Sequence, residues 1–209
     1  MNQNSQRAGN LIVITGPSGV GKGTAVGRLL VEVPNILRSI SVTTRFKRPN
    51  EEEGKDYFFA TRDEFLEMIE QHRFLEWAEY ADSLYGTPAA WVKKELEEGV
   101  DVILEIEVQG AKQVMMRHPE AVLVFLAPPS FSVLEDRLRG RQTEAEDKIL
   151  TRLEKARQEL SQKHLFQYEV INDNLDEAVE NLKHIVYAER CRIVNSEAES
   201  PLNEHDENS

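Results

Sequence analysis

Residues 11–24, LIVITGPSGVGKGT, constrain the fold of this chain more than any other stretch. Four apolar residues and a threonine run without a break into a glycine, the pattern of a strand buried on both faces of a parallel sheet. Glycines then let successive backbone N–H groups turn inward around phosphate oxygens, and the helix beyond points its positive end at the same place. Gly16, Gly21 and Lys22 occupy the fixed positions of G-x-x-x-x-G-K-[ST]. The last position is Gly23, with Thr24 one place late. Thr24 therefore either caps the helix or helps to order Mg2+ and its waters. Lys22 brings a mobile positive charge to a transferring phosphoryl group. Such a loop serves a GTPase switch, an ATPase motor or a small-molecule kinase equally well, so other residues must decide.

The strand–helix rhythm continues. Ala25, Val26, Leu29, Leu30 and Val33 recur at helical spacing before Pro34. Residues 100–108 and 121–129 read as two more buried strands, each followed by a helix. The helix after the first starts near Gln109, and Ser132 and Glu135 are spaced as a capping box at the start of the second. Residues 168–173 form a fourth strand. A last helix spans about 175–193, with Leu175, Val179, Leu182, Ile185 and Val186 on one face. This alternation predicts an α/β fold, a parallel sheet flanked by helices.

Two segments break the rhythm. Residues 38–98 hold short strand-like pieces (RSISVTT, DYFFA) and two helical pieces, one opened by the capping box Thr61–Glu64 and the other by Thr87–Pro88. They read as an inserted α+β subdomain. Residues 137–147 are polar and arginine-rich and lead into another helix through Thr143 and Glu146.

Composition narrows the class. The chain has 209 residues and a net charge of −12, which argues against general affinity for nucleic-acid backbones. No apolar run approaches the 18 or so residues of a membrane span, and residues 1–10 lack the apolar centre of a signal peptide. With one cysteine, Cys191, read as a buried or helix-face thiol, a reducing cytoplasmic setting is expected. Residues 195–209 carry five acidic groups and no Lys or Arg, and read as a disordered solubilising tail. In so acidic a chain, a site for an anionic substrate must gather its basic residues locally.

Several groups answer to that need. Arg45 and Arg48 lie three apart among hydroxyls, and arginine forks match phosphate oxygens in pairs. Tyr57 adds a hydroxyl donor. Glu76 suits guanine, because a carboxylate accepts from both N1–H and the 2-amino group, whereas adenine offers it an unpaired acceptor. The bland alternatives are a solvated helix-end charge for Glu76 and a plain N-cap for Thr87. Glu105 and Glu107 sit two apart in an apolar strand, which points them the same way and makes them costly unless they bind something. Arg137, Arg139, Arg141 and Arg152 can stabilise the charge of phosphoryl transfer from a closing segment. Arg139 is the one expected merely to complement a helix end.

Together these residues resemble the guanylate kinase family in its bacterial form, over residues 9–190. The matching pieces are GPSGVGKGT, SVTTRFKRPNEEEGKDYFF, FLEWAEY…YGT, VQGA and LRGR…TRL. The resemblance implies a P-loop nucleoside monophosphate kinase core with a parallel sheet, an inserted α+β GMP-binding subdomain and a helical lid. The expected division is a polar extension at 1–8, core at 9–37, 99–135 and 153–190, insert at 38–98, lid at 136–152, and a helix end with acidic tail at 191–209. It implies ATP-dependent phosphorylation of GMP, and of dGMP, to the diphosphate in purine nucleotide metabolism, with Mg2+ as cofactor. The partners are ATP and GMP, without nucleic acid or membrane; a homo-oligomer is left open.

By match to the family's motifs, Gly16, Pro17, Ser18, Gly19, Val20, Gly21, Lys22, Gly23, Thr24 and Asn172 would bind ATP. Ser41, Arg45, Arg48, Tyr57 and Tyr85 would hold the GMP phosphate, and Glu76, Thr87 and Glu107 would read the base. Lys22, Arg45, Arg137, Arg141 and Arg152 would be catalytic, with Glu105 and Thr24 acting on the metal through water. The family usually carries Asp at the position of Glu107 and often at Glu105, and its lid often reads RGRG where Gln142 stands here. A runner-up within enzymes is another nucleotide kinase, preferring AMP, dGMP or a mixed set. A different class, protein-binding modules of the same fold that have lost catalysis, is expected to have a degraded loop and lid arginines.

Overall fold

The computed structural model describes residues 7–80, 82–140 and 146–193. Its main sheet has five parallel strands in the order β2-β7-β1-β8-β9. These are β1 (Leu11–Thr15), β2 (Ile36–Arg38), β7 (Asp101–Glu105), β8 (Val122–Ala127) and β9 (Tyr168–Ile171). Alternation along β1 explains the layering. Ile12 and Ile14 face one side, packing with Val26 and Leu29 of α1 (Lys22–Glu32), Leu134 of α5 (Phe131–Arg139), Leu153 of α6 (Glu146–Ser161) and Leu182 and Val186 of α7 (Leu175–Arg190). Leu11 and Val13 face the other side, toward Val92 of α3 (Ala89–Glu97) and Val114 of α4 (Val108–Arg117). Both faces of the central strand are thereby covered, which is why its residues read as an unbroken apolar run. Among the described residues, no helix is long and apolar enough to cross a membrane.

The second sheet has four strands in the order β4-β3-β6-β5. β3 (Val42–Thr43) and β4 (Phe58–Phe59) are the short pieces expected from sequence. Helix α2 (Arg62–Glu70) opens with the expected capping box: Thr61 Oγ1 accepts from the Glu64 N–H, and the Glu64 carboxylate accepts from the Thr61 N–H. Phe65 of α2 stacks on Phe74, with ring centroids 4.4 Å apart. The hairpin β5 (Phe74–Tyr80) and β6 (Ser83–Pro88) was not foreseen. Its first four residues are buried or half-buried on both faces, and its register shifts between Phe74 and Glu76, so the two-residue alternation that marks a strand is absent.

Several expected boundaries need correction. Ser130, not Ser132, caps α5, accepting from the Val133 N–H at 3.2 Å; Ser132 is already inside the helix. Pro88, not Thr87, occupies the N-cap of α3, and Thr87 lies inside β6. Strand β7 stops at Glu105, and Glu107 is the N-cap of α4. The last helix ends at Arg190, leaving Cys191 exposed at its C-cap. Thr143, Gln142, Arg141 and the acidic tail lie outside the described residues.

Candidate active site

The phosphate loop joins the centre of the main sheet to α1. At Gly16, with φ +146°, an added Cβ would lie 2.1 Å from the Leu126 carbonyl oxygen, so the loop can leave β1 beside β8 only with glycine there. Gly21, with φ +97°, is the N-cap of α1 and makes no side-chain cap bond. Its left-handed conformation turns the chain into the helix with the first N–H groups facing the loop. Thr24 is the third residue of the helix and exposed, so the capping role considered for it is overturned.

Asn172 and Arg152, from distant segments, fasten the loop, and Arg137 in turn holds Asn172. Asn172, just past β9, donates from Nδ2 to the Val20 carbonyl at 2.8 Å, and its N–H donates to Ala127 O. Arg137 of α5 donates to the Asn172 carbonyl at 2.9 Å. Arg152 of α6 donates to Ser18 Oγ at 2.6 Å. Lys22 Nζ donates to the Gly16 carbonyl and lies 3.9 Å from Glu107 Oε1.

From Lys22 a cleft of about 430 Å³ runs between the two sheets. It brings together Lys22, Gly23, Ser41, Arg45, Arg48, Tyr57, Glu76, Tyr85, Glu105 and Glu107, residues picked out from widely separated stretches. Thr87 stands behind Glu76 and outside the lining. Arg137, Arg152 and Asn172 gather around the loop instead.

At one end of the cleft Arg45 is bound to Glu51 at 2.6 Å and lies 5.3 Å from the Tyr57 ring centroid. The Arg48 N–H donates to the other Glu51 oxygen at 2.9 Å. Arg45 holds the Glu51 carboxyl below its usual range, and burial pushes the Tyr57 phenol up. Glu51 was missed in the sequence because it sits in an acidic run, EEE, that looks like a solvated surface. Arg38 was missed too; it reaches Glu105 at 3.7 Å from the end of β2.

The other end holds carboxylates in contrasting states. Glu76 on β5 is 3% exposed, so it is no solvated helix-end charge. Thr87 Oγ1 donates to its Oε1 at 2.7 Å. Burial outweighs that bond and pushes Glu76 up to about 7. Burial acts on Glu107 as well, but Lys22 and Lys155 outweigh it and hold the carboxyl below its usual range. Lys155 of α6 binds Glu107 Oε2 at 3.1 Å and lies 3.9 Å from the Tyr80 ring centroid. Glu159, one turn further along α6, is pushed up to about 7 by burial and then by the neighbouring Glu107. Glu105 is raised by burial despite Lys22 and Arg38.

The cleft thus joins a phosphate loop to an arginine–tyrosine cradle and is lined also by the buried Glu76 and the half-buried Glu105 and Glu107. It suits two phosphorylated ligands meeting end to end near Lys22, one of them with a base offering adjacent hydrogen-bond donors.

Comparison with known proteins agrees with that chemistry. The family profile described as Guanylate kinase matches residues 8–189. A guanylate kinase of Synechococcus sp. is 50% identical over 179 residues, 86% of this chain and 82% of its own. One from Bacillus cereus is 52% identical over 187 residues, 89% of this chain and 91% of its own. Among solved structures, the guanylate kinase of Anaplasma phagocytophilum superposes with a TM-score of 0.74 at 31% identity, covering 90% of this chain and 89% of that one.

Proposed function

The chain belongs to the guanylate kinase family and phosphorylates GMP to GDP at the expense of ATP, and we propose that the cleft between its two sheets is where the two nucleotides meet. Support comes from one juxtaposition: Glu76, a buried carboxylate suited to guanine, faces the same cavity as Arg45, Arg48 and Lys22.

In this reading Ser41, Arg45, Arg48, Tyr57 and Tyr85 hold the GMP phosphate, and Glu76, positioned by Thr87, accepts from guanine N1–H and the 2-amino group. Glu107 completes the base contacts. Residues 16–24 cradle the ATP phosphates, with Asn172 holding the loop in shape from the side where the adenine would lie. A GMP phosphate oxygen attacks the γ-phosphorus, a new P–O bond forms, and the bond to the ADP oxygen breaks. Lys22, Arg45, Arg137, Arg141 and Arg152 offset the charge on the transferring group, and no covalent enzyme intermediate is needed.

Mg2+ fits the oxygen donors present. An added Cβ at Gly23 would lie 3.3 Å from Glu105 Oε1, so a carboxylate stands beside the position where the common loop pattern places a hydroxyl. Such a cation keeps most of its waters and is held by phosphates plus one or two carboxylates. Glu105, and Thr24 through water, would hold it, and it would neutralise charge on the β- and γ-phosphates. The division into core (9–37, 99–135, 153–190), GMP-binding insert (38–98) and lid (136–152), use of dGMP, a place in purine nucleotide metabolism and a cytoplasmic setting belong to the same proposal.

The test is ADP release with GMP, dGMP, AMP, CMP and UMP as acceptors, with and without Mg2+. GMP should be used best, dGMP next, AMP negligibly, and activity should require the cation. AMP turned over as well as GMP would overturn the role of Glu76, and full activity in a chelator would remove the metal.

A further inference from the structure

β5 is an edge strand: β6 pairs with one side of it, and helix α4 lies along the other. Residues 110, 113 and 117 of α4 share one face at helical spacing. Each meets a different part of the segment 75–77, with Glu76 at its centre.

Gly110 meets the side chain. An added Cβ there would lie 2.3 Å from Glu76 Oε2 and 3.2 Å from Glu76 Cδ, so the carboxylate rests where any other residue would put its first carbon. Gln113 meets the backbone beyond: its Oε1 accepts from the Trp77 N–H at 3.3 Å, and its Nε2 donates to the Trp77 carbonyl. One amide thus supplies the donor and the acceptor that a neighbouring strand would otherwise provide. Arg117 meets the backbone before, donating to the Leu75 carbonyl at 3.3 Å, within the stretch where the β5–β6 register shifts. At the start of the same helix, its N-cap Glu107 faces the cleft.

We propose that Gly110, Gln113 and Arg117 are positioning residues for nucleotide selectivity. They lock the segment 75–77 to α4, so that this helix sets the separation between Glu76 and Glu107. The glycine is required because Thr87 already holds Oε1, and a Cβ at 110 must drive Oε2 out of place. The proposal rests on the reading of Glu76 as the guanine contact.

The experiment is steady-state kinetics on G110A and Q113A, with E76Q, E76D and the E76D/G110A pair alongside. Alanine favours a helix more than glycine does, so G110A carries no intrinsic helix penalty. G110A should raise KM for GMP by about tenfold or more while KM for ATP stays within about twofold. Q113A should show the same selectivity at smaller size. E76D withdraws the carboxylate from the new methyl group, so the pair should lose less than the product of its single losses. A wild-type KM for GMP in G110A, or equal losses for both nucleotides, overturns the proposal. Should G110A fail to fold, Q113A decides by the same criteria. If E76Q leaves GMP use unchanged, the reading of Glu76 itself falls; a severe E76Q with a silent G110A sinks only the positioning role.

Discussion

The phosphate loop is made of consecutive residues, 16–24, whereas the pocket around Glu76 is assembled from β5, β6 and the first turn of α4. The loop works mainly through backbone: glycines in unusual conformations and N–H groups at a helix start. The pocket works through side chains held by contacts 11 to 42 residues apart in sequence. Their electrostatics differ as well. The loop gathers Lys22, Arg137 and Arg152, while the pocket keeps a carboxylate poised near neutrality. A cationic loop binds any nucleotide's phosphates, so discrimination has to come from the pocket. Damage to the loop should therefore abolish chemistry with every acceptor, and damage to the pocket should change which acceptor is used.

The largest effect is expected at Lys22. In the proposed mechanism Lys22→Met removes a positive charge from the transferring group, and it should cut kcat by about 10³-fold or more with all acceptors. Circular dichroism should show the fold retained. Near-normal turnover would mean that the arginines alone supply the loop's charge.

Next comes the pocket. Glu76→Gln should lower kcat/KM for GMP by about 10²- to 10³-fold and leave KM for ATP within about twofold. Equal losses for both nucleotides would place Glu76 in general architecture. Its pH dependence is a sharper test. Burial puts Glu76 near 7, above the ordinary carboxylate value, so in the ligand-free protein its favourable contribution is fully present below about 4.5 and is lost as pH rises through about 7. The guanine contact needs the opposite, ionised form. KM for GMP should therefore fall between pH 6 and pH 8 by more than ionisation of the GMP phosphate, with a pKa of about 6, produces by itself, and that excess should be absent in E76Q. Calorimetry at pH 6.5 in buffers of different ionisation heat should show more protons released by the wild type than by E76Q; equal release would show that GMP binds the neutral acid.

The same contrast explains what could be read in advance. β1, the glycine loop and α1 are legible because their constraints are local: an apolar run, fixed glycine spacing and helical periodicity. The capping box at Thr61 is legible for the same reason. The hairpin β5–β6 is not, since Glu76 is polar yet buried and owes that burial to Thr87 and α4 rather than to its neighbours. Arg45, Arg48 and Tyr57 stood out as a basic and aromatic stretch, but Glu51, which binds Arg45, was hidden in an acidic run. Lys155 and Glu159 gave no signal, because their place beside Glu107 depends on how α6 crosses the core.

The smallest effect is expected at Glu107, and it tests how far the pocket's rigidity extends. The shorter aspartate usual in the family would point the same way from the N-cap of α4. Here the longer arm reaches Lys155, whose side chain is 40% exposed, and an ion pair so open to water contributes at most about 1 kcal/mol. Glu107→Asp should therefore change KM for GMP by less than about fivefold in either direction, and Lys155→Ala should reproduce whatever change occurs. Glu76 is confined by Thr87 on one oxygen and Gly110 on the other, whereas Glu107 is bound most closely by Lys155, whose long, 40% exposed side chain can follow a retreating carboxylate. A loss at Glu107→Asp as large as that at Glu76→Gln would show both carboxylates to be equally fixed, and the contrast between them would then disappear.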